Sequence, residues 1–196
     1  MGVFNKIGTY IYYCAKLNFY TIYGILSGGI ILGIAPSLIA AGVEVYRLSR
    51  KEELNFSRFK INTKKYFTEA NKHILPLITV AFVLLVIYRM VLNGWLELVY
   101  LFLIGYTIVL IWIMVAMNSY YERLQGSLLK IAMRFCLCQF PIVVLLFLEN
   151  IALFYLAVII PGLIPFFMFG LSILVNVLTC YSFFAINEKQ LEEDKK

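Results

Sequence analysis

Three long stretches without a charged side chain constrain what this chain can fold into. No Asp, Glu, Lys or Arg occurs in residues 17–43, 98–121 or 150–187. A helix that crosses the core of a bilayer needs about 20 mostly apolar residues, and each stretch is longer than that. Hydrophobic residues make up 62% of the chain, which exceeds the roughly half that is usual in soluble domains. The sequence therefore predicts an all-α, polytopic integral membrane protein that forms one domain over residues 1–196.

The order of the apolar runs predicts about five membrane spans. The last uncharged tract, residues 150–187, would be about 57 Å long as a single helix, nearly twice the thickness of a bilayer core. Pro161-Gly162 and Pro165 interrupt it, so the final span is expected to begin at about residue 164. Residues 150–162 have three interpretations: an outer loop, a re-entrant piece or a helix extension. The predicted spans are residues 17–46, 74–93, 97–118, 129–148 and 164–187.

The N-terminal segment has a periodicity of its own. Phe4, Ile7, Ile11 and Cys14 recur at helical spacing, which predicts an amphipathic helix in the membrane interface over residues 1–16. A frayed terminus is the alternative. The uncharged run that follows is longer than the apolar region of a signal peptide and ends in bases rather than small residues. We therefore expect it to be the first membrane helix and not a cleavable leader.

Basic residues set the expected orientation. Residues 47–73 contain eight Lys and Arg, whereas the turn near residues 93–96 contains none. Because such bases stay on the cytoplasmic side, residues 47–73 are predicted to form a cytoplasmic loop, with the N-terminus outside and the C-terminus inside. A sixth span would put Lys189, Lys195 and Lys196 outside and fits less well. The bases of the loop are Arg47, Arg50, Lys51, Arg58, Lys60, Lys64, Lys65 and Lys72.

Small residues in the first span predict close helix packing. They recur at every fourth position, and a second small pair precedes them. Such ridges let helix backbones approach each other in a membrane. Pro36 lies among them and is expected to kink the helix near Leu32 and Gly33, because it removes one backbone hydrogen bond. A substrate path along this helix is the alternative to simple packing. The helix-packing residues are Gly24, Gly28, Gly29, Gly33, Pro36, Ser37 and Ala41.

The basic loop contains a second amphipathic pattern. An apolar stripe comprises Phe56, Phe59, Thr63, Phe67 and Ala70. Lysines and an arginine cover the remaining surface, as on a helix that lies on an anionic membrane. Docking to a cytoplasmic protein partner is the alternative interpretation. The bases that would contact lipid or partner are Arg58, Lys60, Lys64 and Lys65.

Residues that carry enzyme chemistry are scarce. The single histidine, His73, has no carboxylate or cysteine at motif spacing, so neither a metal triad nor a nucleophile and base pair can be assembled. The four cysteines lack the spacing of a zinc site, and glycine-rich nucleotide-binding motifs are missing. We expect a non-enzymatic protein with no catalytic residue, cofactor or metal. Nucleic acid is not an expected partner, because the bases flank membrane spans.

Polar groups inside membrane spans are functional suspects. The charged residues near the spans are expected at span ends, where they reach water or head groups. Asn176 is the most central polar side chain, and an interhelical hydrogen bond is its expected role. The charged residues are Glu44, Arg89, Glu97, Arg134 and Glu149.

Several of these features together resemble the YesL family of bacterial membrane proteins, a family of unknown function. The resemblance lies in Leu17-Asn18, in Gly28-Gly29, in the stretch from Gly33 to Ser37, and in a basic loop that contains Phe56, Phe59, Lys60 and Phe67. It implies a small multi-pass protein of the bacterial cytoplasmic membrane, often encoded beside carbohydrate uptake and sensing systems. It transfers no catalytic residue.

Two functions follow from these expectations. The first is an accessory or assembly partner of a bacterial carbohydrate transport system, with anionic lipids and transporter subunits as its partners. The second is a small transporter or substrate-binding membrane subunit. The second needs a polar pocket inside the bundle: a cavity lined by Asn18, Ser27, Asn118 or Asn176 would favour it, and a filled core would favour the first.

Overall fold

The protein is an all-α bundle, as the sequence predicts. A computed structural model describes residues 3–90, 94–121 and 127–193, and no strand occurs in those ranges. A π-helical turn, Ile164–Met168, precedes the last helix. The helices are α1 Val3–Ser27, α2 Ile31–Ser49, α3 Phe56–Lys65, α4 Phe67–His73, α5 Leu75–Met90, α6 Trp95–Tyr120, α7 Leu128–Cys138, α8 Phe140–Ile159 and α9 Phe169–Glu193.

The number of helices suited to crossing a membrane agrees with a multi-pass protein of four to five spans. Four continuous helical segments in the described ranges are long and apolar enough: Ile31–Ser49, Trp95–Tyr120, Phe140–Ile159 and Ile164–Glu188. A fifth is obtained if α4 and α5, which meet at a bend of 41°, form one broken span. The predicted spans 74–93, 97–118 and 164–187 correspond to α5, α6 and α9 with the π-turn; residues 91–93 lie outside the described ranges.

The prediction of one helix over residues 17–46 is wrong. The chain turns at residues 28–30, where Gly29 and Ile30 have positive φ angles of 80° and 61°. Glycine adopts this left-handed region without steric cost, so the Gly28-Gly29 pair ends α1 and lets α2 begin. The break lies ahead of Pro36, which is accommodated inside α2. α1 is also continuous from Val3, so no helix boundary separates residues 1–16 from the rest; residues 1–2 lie outside the described ranges.

The prediction of a span over residues 129–148 is also wrong. Helix α7 ends at Cys138 and α8 begins at Phe140, with Gln139 between them. Pro141 explains the break: it lacks an N–H group and clashes inside a helix, but is tolerated in the first turn. The membrane-length helix is therefore Phe140–Ile159. Of the three interpretations of residues 150–162, the helix extension is correct up to Ile159, and a turn at Pro161-Gly162 follows.

Burial is concentrated around α2. This helix packs against α1, α3, α4, α6 and α9, and residues 35–42 are all buried. By contrast, α5 has no buried residue and α8 has only three. A helix that is apolar all round and exposed on most faces is suited to contact with lipid. The molecule thus has an inner layer around α2 and an apolar outer layer.

Three helices meet at one end of the bundle, which we call the basic end. The rings of Tyr46, Tyr120 and Tyr181, from α2, α6 and α9, lie 5.4–5.5 Å apart, and Tyr120 Oη donates a hydrogen bond to Glu188. At the start of α9, about 28 Å away along the helix, Asn18 of α1 contacts Gly170. The basic loop and the later part of α9 therefore share one end, opposite the start of α9.

Candidate functional site

A buried ion pair fixes the basic loop to α2. Glu44 is fully buried, and its carboxylate accepts two hydrogen bonds from Arg58, at 2.7 Å from Nε and 2.9 Å from Nη2. The backbone N–H of Asn55 donates a third, at 2.9 Å. The hydrogen bond to Glu44 raises the pKa of the Arg58 guanidinium. Arg58, which the sequence assigned to a lipid or partner surface, instead holds α3 against α2.

The position of α3 follows from its own sequence. Asn55 caps the helix, its side chain accepting a hydrogen bond from the Arg58 N–H at 3.1 Å, as expected at a helix start. Phe56 and Phe59 face α1, where the Phe59 ring lies 5.4 Å from Tyr20 and the Phe56 ring 4.9 Å from Tyr23. The aromatic stripe thus packs on α1, and this part of it does not lie on lipid.

The lysines of α3 are exposed on the surface. Lys60, Lys64 and Lys65 are exposed, and the Lys60 ammonium lies 5.1 Å from the Phe56 ring centre. Phe67 is half-buried and lines, with Lys60, Lys64 and Ser27, a small cleft of about 140 Å³. These lysines therefore form an exposed basic surface on a helix whose apolar side is already covered.

A larger cavity opens at the basic end between α2, α3 and α6. Its volume is about 610 Å³, within the range of small-molecule sites. Four bases and one acid line it: Arg47, Arg50, Arg58, Lys65 and Glu52. We call this cavity the basic pocket.

The charges of the basic pocket fall into two groups. Arg47 and Arg58 both bond to Glu52, each at 3.1 Å, so their charges are partly compensated. Arg50 lies over the Tyr46 ring at 4.6 Å and Lys65 over the Tyr66 ring at 5.1 Å. In the described part of the chain, neither Arg50 nor Lys65 has a carboxylate partner. The pocket therefore contains two uncompensated positive charges.

Neutral polar groups complete the pocket. Asn62 of α3 lines one side, and Asn118 and Ser119 of α6 line another. Ser119 is engaged with Tyr181, whose hydroxyl also donates to the Gly42 carbonyl at 3.0 Å. Asn118 differs, because its Nδ2 is buried and has no hydrogen-bond partner among the residues that the structure describes. Such an orphaned donor is costly unless something else accepts its hydrogen bond.

The small residues predicted to pack helices meet across the turn between α1 and α2. A Cβ built on Gly28 would lie 2.5 Å from Gly33 Cα, and one on Gly24 would lie 3.0 Å from the Phe59 ring. Gly33 faces the carbonyls of Gly24 and Ile25. The remaining members occupy two settings: Pro36, Ser37 and Ala41 are buried in α2, and Gly29 is exposed in the turn.

The other polar candidates are paired within the bundle. Asn18 donates to the Pro165 carbonyl at 2.8 Å and accepts from the N–H groups of Phe169 and Gly170. Asn176 accepts from Asn150 at 2.7 Å, the interhelical bond that its central position predicts. These residues hold helices together and do not line the basic pocket.

Sequence reasoning missed the Glu44 pair and the Glu149 position. Glu44 was expected to reach water at a span end, but the folded loop covers it. Glu149 was expected at the end of a span, but in α8 it is the tenth of twenty residues. Pro141 could have shown the position of Glu149, because it shifts the span toward the C-terminus. For the Glu44 pair, the sequence offers only a lone acid in an apolar run and an arginine 14 residues later.

Comparisons with known proteins bear on the first half of the chain. Residues 14–88 match the family model DUF624, described as a protein of unknown function. The matched segment contains α2, α3 and α4 entire, and with them the Glu44–Arg58 pair. No curated protein and no solved structure matches the chain. The resemblance to the YesL family is therefore confirmed over residues 14–88, as a match to DUF624, a family of unknown function.

Proposed function

We propose that this protein is a non-enzymatic membrane subunit that binds a small polar molecule in the basic pocket. The observation that carries the proposal is the cavity itself, whose lining includes two uncompensated bases and the unpartnered Asn118 amide. Buried polar groups without partners are rare in native proteins, and one of them, in the described part of the chain, belongs to a residue that lines a space of ligand size. A bacterial carbohydrate transport system is the proposed setting, on the basis of the family resemblance.

The cavity favours a binding subunit over a purely accessory role. Of the four residues that would mark a ligand cavity, Asn118 lines the basic pocket and Ser27 lines only the small cleft. Asn18 and Asn176 are engaged with other helices. The basic pocket lies at the end of the bundle and not inside it, so the proposal of a substrate-binding membrane subunit is supported by this pocket alone.

An accessory or assembly role is the second candidate. The exposed bases Lys60 and Lys64 lie on a helix whose apolar face is already packed on α1. Such a surface suits electrostatic contact with anionic lipid head groups or with an acidic face of a transporter subunit. Retention of a transporter subunit that is lost on Lys60→Gln and Lys64→Gln substitution would support this candidate.

We propose that the basic end faces the cytoplasm of a bacterial cell and that the N-terminus lies outside. The concentration of bases at this end supports the first statement. The later part of α9 also lies at this end, and the five spans expected from the sequence, an odd number, then put the N-terminus on the other side. Single cysteines at Lys64 and Gly162 in a cysteine-free background test it. An impermeant thiol reagent should label position 162 in intact cells and spare position 64, and the reverse pattern would invert the orientation.

Retention of small molecules tests the binding function. The full chain, purified in mild detergent, should carry a small molecule detectable by native mass spectrometry. Asn62→Trp should displace it, because the indole would occupy the pocket from α3. Ile61→Trp is the matched control, since Ile61 is 66% exposed and does not line the pocket. The proposal fails if the two variants retain the same molecules as the parent protein.

A further inference from the structure

The groups of the basic pocket without a partner among the described residues would all be paired by a hydrogen-bond acceptor of a ligand. Arg50 and Lys65 are cations, and the Asn118 Nδ2 group is a hydrogen-bond donor. All three seek an acceptor, and an anionic oxygen satisfies each of them. By contrast, Arg47 and Arg58 already share the Glu52 carboxylate, so their charges are less available to a ligand.

We propose, on the basis of the binding function above, that the ligand of the basic pocket is a phosphomonoester held by Arg50, Lys65 and Asn118. A phosphomonoester carries close to two negative charges at neutral pH and presents three acceptor oxygens. Two uncompensated cations and one orphaned donor match that charge and that number of acceptors. A carboxylate or a phosphodiester carries one charge and would leave part of this set unpaired.

The size of the cavity indicates that the phosphate is attached to a larger polar body. A space of about 610 Å³ exceeds what a phosphate group alone would occupy. Asn62, Tyr66 and Tyr120 line it as well. A phosphorylated sugar and the head group of phosphatidic acid share this chemistry, one from solution and one from the membrane. The phosphomonoester is common to both.

Binding measurements on the full chain test the ligand class. The probes are glucose 6-phosphate and glucose with the protein in detergent, and nanodiscs that contain phosphatidic acid or phosphatidylglycerol. We expect glucose 6-phosphate or phosphatidic acid to bind, and glucose and the diester to bind at least tenfold more weakly. Binding should weaken with added salt because the attraction is screened. Whichever monoester binds identifies the source, solution or membrane.

Substitutions show whether the named bases hold the phosphate. Lys65→Gln and Arg50→Gln should each lower the affinity about tenfold or more, the effect of losing roughly 1.4 kcal/mol. Lys64→Gln is the matched control, because Lys64 is the neighbouring exposed lysine but lines the other cleft. All three side chains are exposed, so thermal stability without ligand should stay unchanged and report that the variants fold.

The outcomes separate this inference from the binding function. If a neutral sugar or a phosphodiester binds as well as the monoesters, and Asn62→Trp abolishes that binding, the pocket is a ligand site but the phosphomonoester inference is wrong. Equal loss of binding in Lys64→Gln and Lys65→Gln would show a diffuse charge effect and would also overturn it. If none of the probes binds, the inference fails, and the retention experiment alone decides the binding function.

Discussion

Glu44 and Glu149 both lie in apolar helices, and their surroundings in the fold are opposite. Glu44 of α2 is fully buried, and both of its oxygens accept hydrogen bonds from the basic loop. Glu149 of α8 accepts one hydrogen bond, from the Thr179 hydroxyl at 2.8 Å. Its second oxygen is buried and has no partner in the described ranges.

The difference lies in what each helix has beside it. The chain after α2 folds back as α3, which brings a guanidinium and a free backbone N–H to Glu44. The chain beside α8 is another apolar helix, α9, which offers hydroxyl and amide groups. A buried acid with a cationic partner ties its helices together strongly, whereas neutral hydrogen bonds between membrane helices contribute less.

The largest effect is expected from Glu44→Gln. The amide keeps the size of the side chain but removes the charge that pairs with Arg58, and breaking a buried ion pair costs about 3 kcal/mol or more. The free energy of unfolding in mixed micelles measures the loss. Glu52→Gln is the control, because the Arg47–Glu52 pair is 44% and 42% exposed and surface pairs contribute at most about 1 kcal/mol. Equal losses in the two variants would contradict a special role for Glu44.

The next effect is expected from Gly33→Leu. The new side chain would meet the α1 backbone at Gly24 and Ile25, and overpacking of this kind costs about 1–3 kcal/mol. Thermal stability and folded yield in detergent measure it. Gly8→Leu is the matched control, because nothing lies within 4 Å of a Cβ there. If both variants are as stable as the parent protein, the close approach of α1 and α2 is wrong.

The helical class and the later spans could be predicted from the sequence, and the early turn could not. Charge-free runs define where a chain prefers lipid, which located α5, α6 and α9. They do not define where a helix ends. Gly28-Gly29 fits a packing ridge as well as a turn, and the positive φ angles of Gly29 and Ile30 decide for the turn.

The candidate site was predictable only in part. Bases near residues 47–65 were visible in the sequence, as was Asn118 as a polar group in a span. The pairing of Arg58 with Glu44, which leaves Arg50 and Lys65 as the uncompensated bases, depends on how α3 folds back. That geometry arises from the Asn55 cap, a local contact, and from the fit of Phe59 beside Gly24, a contact between residues distant in sequence.

A smaller effect is expected from Asn18→Ala. This substitution tests how much a fully hydrogen-bonded but uncharged side chain contributes to stability. Asn18 is 2% exposed and bonds to the Pro165 carbonyl and to two N–H groups at the start of α9. Its loss leaves buried backbone groups unpaired, at a cost of about 1–2 kcal/mol. Unfolding in mixed micelles measures it. Thr79→Ala is the control, since Thr79 is exposed and bonds only within its own helix; equal effects would contradict the prediction.

The smallest effect is expected from Glu149→Gln, the same substitution as in α2. Glutamine keeps an acceptor for the Thr179 hydroxyl, and its amide replaces an oxygen that has no partner in the described structure. The free energy of unfolding should therefore change by less than about 1 kcal/mol in either direction, against about 3 kcal/mol for Glu44→Gln. Both variants are measured in the same micelles. A loss at Glu149 as large as that at Glu44 would contradict the comparison, because it would require a cationic partner for Glu149.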